Sequence, residues 1–168
     1  SRGRRDLWEQ VEATGASLVV GSSDVATHLR VLACGLCGVV HAAGVDMHTG
    51  LEDLKLSQMC TVLAPKTDGT HTLSHSSSSR PLDYFVVFSS AAALMGLKSA
   101  SVYAAANGYL DSFASSQRGV GLTATNVQWG MWSELGMAAG VDAGGYVTGG
   151  VTNAIGLDAM EATIGGWA

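Results

Sequence analysis

Charge is scarce in this sequence, and the scarcity excludes several classes of protein. Of the 168 residues, 14% are charged, and the net charge at pH 7 is −5. A chain without a basic footprint is not expected to bind nucleic acid. Apolar residues make up 47% of the chain, which is too many for a disordered segment. A chain of this length fits one domain with a sizeable core.

Long hydrophobic runs are absent as well. No apolar run reaches the roughly 18 residues that a membrane-spanning helix needs. The opening segment, SRGRRDLWEQ, has arginines but no apolar core behind them, so it does not have the pattern of a signal peptide. We therefore expect a cytoplasmic protein without a membrane span.

Cysteine is also scarce, with Cys34, Cys37 and Cys60 as the three in the chain. The pair in CGLC has no second pair to complete a four-ligand zinc site. An odd cysteine count argues against a disulfide framework, and the histidines have no spacing of the H-E-x-x-H kind. The sequence thus predicts free, mostly buried thiols and no metal site.

What the sequence does contain is an alternation of two kinds of segment. Apolar runs rich in β-branched residues predict buried strands over residues 16–21, 37–44, 83–90 and 124–130. The intervening segments predict helices over residues 4–15, 24–35, 51–76 and 101–119. Near-continuous apolar strands suit a parallel sheet that is covered on both faces. The alternation therefore indicates a Rossmann-like, doubly wound α/β fold.

A loop is predicted over residues 75–81 and a closing helix over residues 156–167. The usual opening of a dinucleotide-binding sheet, a strand followed by a glycine-rich turn that holds the pyrophosphate, does not precede Arg2. We therefore expect residues 1–168 to form one partial, N-terminally truncated domain that lacks its first β-α unit. Because such a sheet has an unpaired edge, we expect the isolated chain to be unstable and inactive.

Polar side chains stand where the carboxyl ends of the strands are predicted, which is where such sheets bind ligands. Ser90 ends a strand, Tyr103 lies near the start of the next helix, and Asn107 shares its face one turn later. Lys66 lies on the preceding helix. A nearby ammonium favours a tyrosine phenolate, so this set suits proton donation to a carbonyl that accepts a hydride. Asn107 could orient Lys66 or hold a water. Each residue alone also fits a structural role in packing, capping or solvation, and the spacing does not select among these roles.

Five segments carry a resemblance to a known family: GVVHAAGV, LAPKTDGT, DYFVVFSSAAALMG, VYAAANGYLDSFA and NVQWGMWSELGMA. Together they resemble the ketoreductase domain of type I polyketide synthases, a branch of the short-chain dehydrogenase/reductase superfamily. Most of that superfamily has lysine four residues after the tyrosine, whereas this branch has asparagine there and takes its lysine from an earlier helix. The resemblance implies that Tyr103 is the general acid, that Ser90 donates to the carbonyl, and that Lys66 and Asn107 support them.

The resemblance also implies NADPH as the cofactor. The residues it assigns to the cofactor are Arg2, Asp24, Val25, Ala42, Ala43, Gly44, Trp129 and Gly130, together with Tyr103 and Lys66. Small residues suit the loop over 42–44, because a larger side chain would hold the backbone away from the cofactor. Arg2 would meet the 2′-phosphate, with a solvated basic terminus as the alternative. For Trp129 the alternative is hydrophobic packing.

The activity implied is NADPH-dependent reduction of a β-ketoacyl thioester on an acyl carrier protein, beside the other domains of a polyketide synthase. Two alternatives are an inactive, structural ketoreductase-like module and a stand-alone short-chain dehydrogenase that acts on a small carbonyl substrate. Family members of one product configuration have Leu-Asp-Asp where this chain has Asp46, Met47 and His48. Members of the other have tryptophan where Met95 stands. The resemblance therefore implies no configuration for the product.

Overall fold

The computed structural model describes residues 36–78 and 81–130. The strands are β1 (Gly38–His41), β2 (Tyr84–Ser90) and β3 (Thr125–Trp129). The α-helices are α1 (Leu56–Leu63), α2 (Thr67–Ser77), α3 (Ala92–Met95) and α4 (Ser101–Gly119), and a short 3-10 helix covers Leu51–Asp53.

The three strands form a parallel sheet with β2 in the centre. Pairing between β1 and β2 ends at His41 opposite Val87, whereas pairing between β2 and β3 continues to Ser90 opposite Trp129. The last three residues of β2 therefore extend past the end of β1. The parallel α/β arrangement that the sequence predicts is confirmed, and it brings the carboxyl ends of the strands to one edge of the sheet.

Helix α4 covers the sheet with small and aliphatic side chains at helical spacing. Its buried positions are Val102, Ala106, Asn107, Leu110 and Ala114, which repeat every three or four residues. They meet the alternating buried side chains of β2. The resulting hydrophobic core consists of Val39, Leu73, Phe85, Val87, Leu110, Ala114 and Ala124. Because alanine adds little volume, the helix axis can lie close to the strands at this interface.

The single helix predicted over residues 51–76 is wrong, because the segment is broken between Leu63 and Thr67. Pro65 lies in the break, and proline has no N–H to continue a helical ladder. The N–H of Gly69 instead reaches back five residues to the carbonyl of Ala64, at 3.0 Å. Lys66 is therefore placed between two helices and not within one.

Other predictions have mixed outcomes. Helix α4 begins and ends where the sequence predicts, and β2 and β3 agree with the prediction to within one residue at each end. The predicted loop over 75–81 is wrong at its start, because α2 continues to Ser77. Cys37 and Cys60 are exposed, so the prediction of mostly buried thiols is wrong for them, and neither is in a disulfide.

The elements predicted over residues 4–15, 16–21, 24–35 and 156–167 lie outside the described residues. Across the described ranges, no helix combines the length and the apolar content required to span a bilayer.

Candidate active site

Lys66 occupies the centre of the candidate site, and its side chain is buried. It is 4% exposed, and its Nζ donates a hydrogen bond to the main-chain carbonyl of Phe88, at 2.8 Å. The acceptor belongs to the part of β2 that extends past β1. Burial lowers the pKa of Lys66 from 10.5 to about 8, and the carboxylate of Asp111 acts in the opposite direction. A lowered pKa of this kind is typical of functional sites as well as of structural ion networks.

Tyr103 lies within reach of that charge. It is on the first turn of α4 and half-buried, and the Nζ of Lys66 lies 6.0 Å from the centroid of its ring. A cation at this distance is attracted electrostatically to the aromatic ring. The fold therefore brings together a lysine and a tyrosine that are 37 positions apart in the chain.

Gly44 makes room for the lysine. A Cβ atom at this position would lie 3.1 Å from Cε and 3.4 Å from Nζ of Lys66. The aliphatic end of the lysine therefore passes directly over the backbone that follows β1. Ala42 and Ala43, which precede Gly44, are exposed. This loop thus presents small residues both to the lysine and to the outside of the sheet edge.

Asn107 is fully buried and is bonded to its own helix. Its Nδ2 donates to the main-chain carbonyl of Tyr103, at 2.8 Å. Its Oδ1 is buried and has no hydrogen-bond partner among the described residues. The amide thus faces back along the helix toward Tyr103, and no hydrogen bond to Lys66 occurs within the described part of the chain. The amide oxygen is left to accept from a water or a ligand.

The hydroxyl oxygen of Ser90 already accepts a hydrogen bond from the main chain. The N–H of Ala92 donates to its Oγ, at 3.1 Å, and the side chain is half-buried. Because the oxygen accepts this bond from the main chain of α3, the hydroxyl proton is free to point toward another acceptor. Ser90 can therefore donate a hydrogen bond at the edge of the sheet.

The family of the chain follows from comparison with known proteins. The family model described as "KR domain" matches residues 2–134. The chain belongs to this ketoreductase family. The family is part of the short-chain dehydrogenase/reductase superfamily, as the resemblance in the sequence implies.

Individual relatives agree with this assignment. The phthioceranic/hydroxyphthioceranic acid synthase of Mycobacterium tuberculosis is 38% identical over 141 residues, which cover 79% of this chain and 7% of the synthase. A solved structure of A-type ketoreductases from a modular polyketide synthase is 35% identical, with a TM-score of 0.74, and covers 85% of this chain and 32% of its own. The first ketoreductase of the tylosin synthase is 34% identical, with a TM-score of 0.74, and covers 84% of this chain and 32% of its own. This ketoreductase chain therefore spans about a third of the solved domains and a small part of the synthase.

The residues assigned to the cofactor are only partly described. Arg2, Asp24 and Val25 lie outside the described residues. The Trp129 ring packs on the Phe88 ring, with centroids 5.2 Å apart, and the N–H of Ala91 donates to the Trp129 carbonyl, at 2.9 Å. The packing role that the sequence leaves open for Trp129 is thus present. Gly130 follows directly and is half-buried.

Two buried side chains at this edge were not singled out from the sequence of the ketoreductase. Ser89 is 4% exposed, and its Oγ donates to the main-chain carbonyl of Asn107, at 3.2 Å. His41 is 3% exposed, and its Nε2 lies 3.0 Å from the carbonyl oxygen of Pro65. Both bond to main-chain atoms far away in the sequence, so residue spacing gives no signal for them. A polar side chain at the end of an apolar strand was the one available hint.

Proposed function

We propose that this chain forms the carbonyl-reducing part of an NADPH-dependent β-ketoacyl reductase within a polyketide synthase. The substrate is a β-ketoacyl thioester on an acyl carrier protein, and the product is the β-hydroxyacyl thioester. The observation that carries the proposal is the buried ammonium of Lys66 beside Tyr103, at the edge of the sheet where Ser90 can donate. Synthases among the relatives support neighbouring synthase domains as partners. The location we propose is the cytoplasm.

The described residues fit a nicotinamide cofactor. The loop after β1 begins with two alanines and a glycine, and a Cβ at Gly44 would already press on Lys66. The buried Oδ1 of Asn107 lacks a protein partner in the described region and would accept a hydrogen bond from a water or a hydroxyl. We propose that Ala42, Ala43, Gly44, Trp129 and Gly130 line the cofactor, with Arg2, Asp24 and Val25 at its adenosine end. A bound nicotinamide supplies the hydride for the reaction.

Side chains of this chain supply the proton that the substrate oxygen receives. As the substrate carbonyl oxygen gains negative charge, the Tyr103 hydroxyl donates its proton to that oxygen. The ammonium of Lys66, 6.0 Å from the centre of the Tyr103 ring, is placed to offset the negative charge that is left on the tyrosine. Ser90 donates a hydrogen bond to the same substrate oxygen, since its own Oγ is held by the N–H of Ala92. Asn107 holds the first turn of α4 through the Tyr103 carbonyl.

A purely structural module is disfavoured by the position of Lys66. Burying an ammonium costs free energy, as its lowered pKa shows. A module that only braces its neighbours gains nothing from that cost, and an apolar side chain of similar length would stabilise it more. The cost is understandable if the lysine assists Tyr103 in the reaction.

The test uses the full reductase domain, meaning this chain joined to the remainder of a ketoreductase domain. Reduction of a β-ketoacyl thioester is followed by the loss of NADPH absorbance in the wild type and in Tyr103→Phe. We expect kcat to fall by about 10²–10⁴-fold in the variant, because the substituted ring cannot donate a proton. NADPH affinity should be nearly unchanged.

Tyr109→Phe is the matched control. Tyr109 lies on the same helix, is 36% exposed, and stacks on Phe113 at 6.4 Å. This variant should keep wild-type turnover. A folded wild-type domain that binds NADPH but reduces no β-ketoacyl thioester would refute the proposed activity and favour a structural module.

A further inference from the structure

A hydrogen bond joins the end of β1 to the break between α1 and α2. His41 is the last residue of β1 and is 3% exposed. Its Nε2 lies 3.0 Å from the carbonyl oxygen of Pro65. Since a carbonyl can only accept, the imidazole must donate through Nε2–H. Burial lowers the pKa of His41, and the charge of Lys66 lowers it further against the effect of the Pro65 bond. The ring is therefore neutral at neutral pH.

The Pro65 carbonyl is available because of the break itself. In a regular helix this carbonyl would accept from the N–H of Gly69, four residues later. Here the N–H of Gly69 donates to Ala64 instead, and so does the N–H of Asp68. Pro65 directly precedes Lys66, so whatever holds its carbonyl also holds the main chain from which the lysine projects.

The lysine is thereby attached to the sheet at two points. Its Nζ is bonded to the Phe88 carbonyl on β2, and the peptide before it is bonded to His41 on β1. The first bond alone would allow the backbone of the break to shift while the long side chain kept its end in place. The second bond fixes the starting point of the side chain, which limits the rotamers that reach Phe88 and pass over Gly44.

We propose that His41 is a positioning residue for Lys66: its Nε2–H anchors the Pro65 carbonyl to the end of β1 and so keeps the lysine buried beside Tyr103. The effect on turnover rests on the proposed function, whereas the effect on the lysine does not. Among the described residues, the titratable groups around the lysine are His41 from β1, and Tyr103 and Asp111 from α4.

Two substitutions distinguish a role of His41 as a hydrogen-bond donor from a role in which its side chain only fills space. His41→Gln keeps an N–H donor at a similar reach, whereas His41→Leu fills the space but donates nothing. His71→Leu serves as the control, because His71 is exposed on α2 and stacks on His75. All three are made in the full reductase domain, and folding is checked by thermal unfolding.

The first readout is the titration of Lys66 itself. Trace labelling with acetic anhydride across a range of pH, followed by mass spectrometry of the peptides, gives a labelling midpoint for each lysine. Lys55 and Lys98 are exposed and serve as internal references. In the wild type, His41→Gln and His71→Leu, we expect the Lys66 midpoint near its lowered value of about 8. In His41→Leu it should rise toward the unperturbed value of 10.5.

The second readout is turnover of the β-ketoacyl thioester. We expect kcat to fall about 10- to 100-fold in His41→Leu, with KM nearly unchanged, because a misplaced group near the chemistry slows the step without loosening the substrate. His41→Gln should restore most of the rate. A residue that only fills space would lower the unfolding temperature without moving the Lys66 midpoint.

Three outcomes would overturn the positioning role. One is a folded His41→Leu with an unchanged Lys66 midpoint. Another is a His41→Gln variant that shifts the midpoint as far as His41→Leu does. If His41→Leu does not fold, a shifted midpoint in the folded His41→Gln variant would overturn it as well. A midpoint that shifts as expected in a domain that reduces no thioester would instead support the positioning role and refute the proposed activity.

Discussion

The two ends of the sheet bury different kinds of side chain. At the carboxyl edge the buried side chains include four polar ones, His41, Lys66, Ser89 and Asn107, each 4% exposed or less. Toward the opposite end, the buried groups packed between β2 and α4 are apolar, among them Phe85, Leu110 and Ala114. Helix α4 runs through both regions, with Tyr103 and Asn107 near its start and Ala114 further along.

The two regions of the molecule separate stability from chemistry. Removing an apolar side chain from water stabilises the fold by roughly 1.5–3 kcal/mol for each large residue. Polar groups gain much less, because each exchanges bonds with water for bonds inside the protein, and the charge of Lys66 is disfavoured there. The apolar end holds the sheet and the helix together. This packing stabilises the fold enough to keep the buried polar groups and the charged lysine in place at the other edge.

The largest loss of stability is expected from the apolar end. Leu110→Ala in the full reductase domain should lower the free energy of unfolding by about 2–5 kcal/mol, because Leu110 is fully buried and its removal leaves a cavity. Turnover per folded molecule should stay near the wild-type value. Leu122→Ala, at a residue that is 57% exposed, should change stability by less than about 0.5 kcal/mol. Denaturant titration measures the free energy of unfolding, and NADPH oxidation measures turnover. A large loss of turnover in folded Leu110→Ala would contradict the separation of stability from chemistry.

The next effect concerns the pH dependence of stability at the polar edge. The pKa of Lys66 is about 8 in the folded state against 10.5 when it is unperturbed. Between these values the unfolded chain holds a proton that the folded chain has lost, so stability rises with pH in this window. For one group with this shift the rise is on the order of 3 kcal/mol. Below pH 8 the charged lysine lowers stability, and Lys66→Met should therefore be more stable than wild type there.

The measurement is the free energy of unfolding against pH for the wild type, Lys66→Met and Lys98→Met. Lys98 is exposed, so its variant should follow the wild-type curve. The difference between Lys66→Met and wild type should shrink as pH rises through the window. A constant difference across that window would mean that the folded lysine has an ordinary pKa.

The smallest effect is expected at Gly44, where a substitution should change both stability and turnover. A methyl group there would lie 3.1 Å from Cε of Lys66, so the lysine has to give way. We expect Gly44→Ala to lower turnover several-fold and to cost about 1 kcal/mol of stability, the low end for overpacking. Gly108→Ala is the control, because nothing lies within 4 Å of a Cβ there, and it should stabilise α4 by about 0.4–1 kcal/mol. Equal turnover in the two variants would argue against close contact between this loop and the lysine.

Much of the fold was predictable because its patterns are local. The β-branched run of β2 and the alanine spacing of α4 each identify their element and its bounds. The break at Pro65 was missed, although proline marks it, because apolar residues continue on both sides and suggest one helix. Its geometry depends on His41, which is 24 residues away.

In the candidate site, too, some features could be predicted from local sequence and others depend on distant contacts. Ser90, Tyr103 and Lys66 could be named as candidates from motifs that resemble those of the family. The burial of Lys66 could not be predicted, because it depends on the Gly44 backbone, in the loop after β1, and on the Phe88 carbonyl, in β2. Ser89 and His41 could not be identified at all from spacing, since their partners are main-chain atoms that every residue possesses.

The contact between Lys66 and the Phe88 carbonyl also bears on how such domains can be recombined. In the chain, Lys66 precedes β2, its acceptor Phe88 lies within β2, and Tyr103 follows on α4. A chimera with a crossover between residues 66 and 88 would join a lysine placed by one parent to a strand end placed by the other. A crossover upstream of β1 or downstream of β3 would transfer His41, Gly44, Lys66, Phe88 and Tyr103 as one inherited block. Engineers exchanging pieces between synthases therefore have a physical reason to leave the stretch from β1 through β3 uncut.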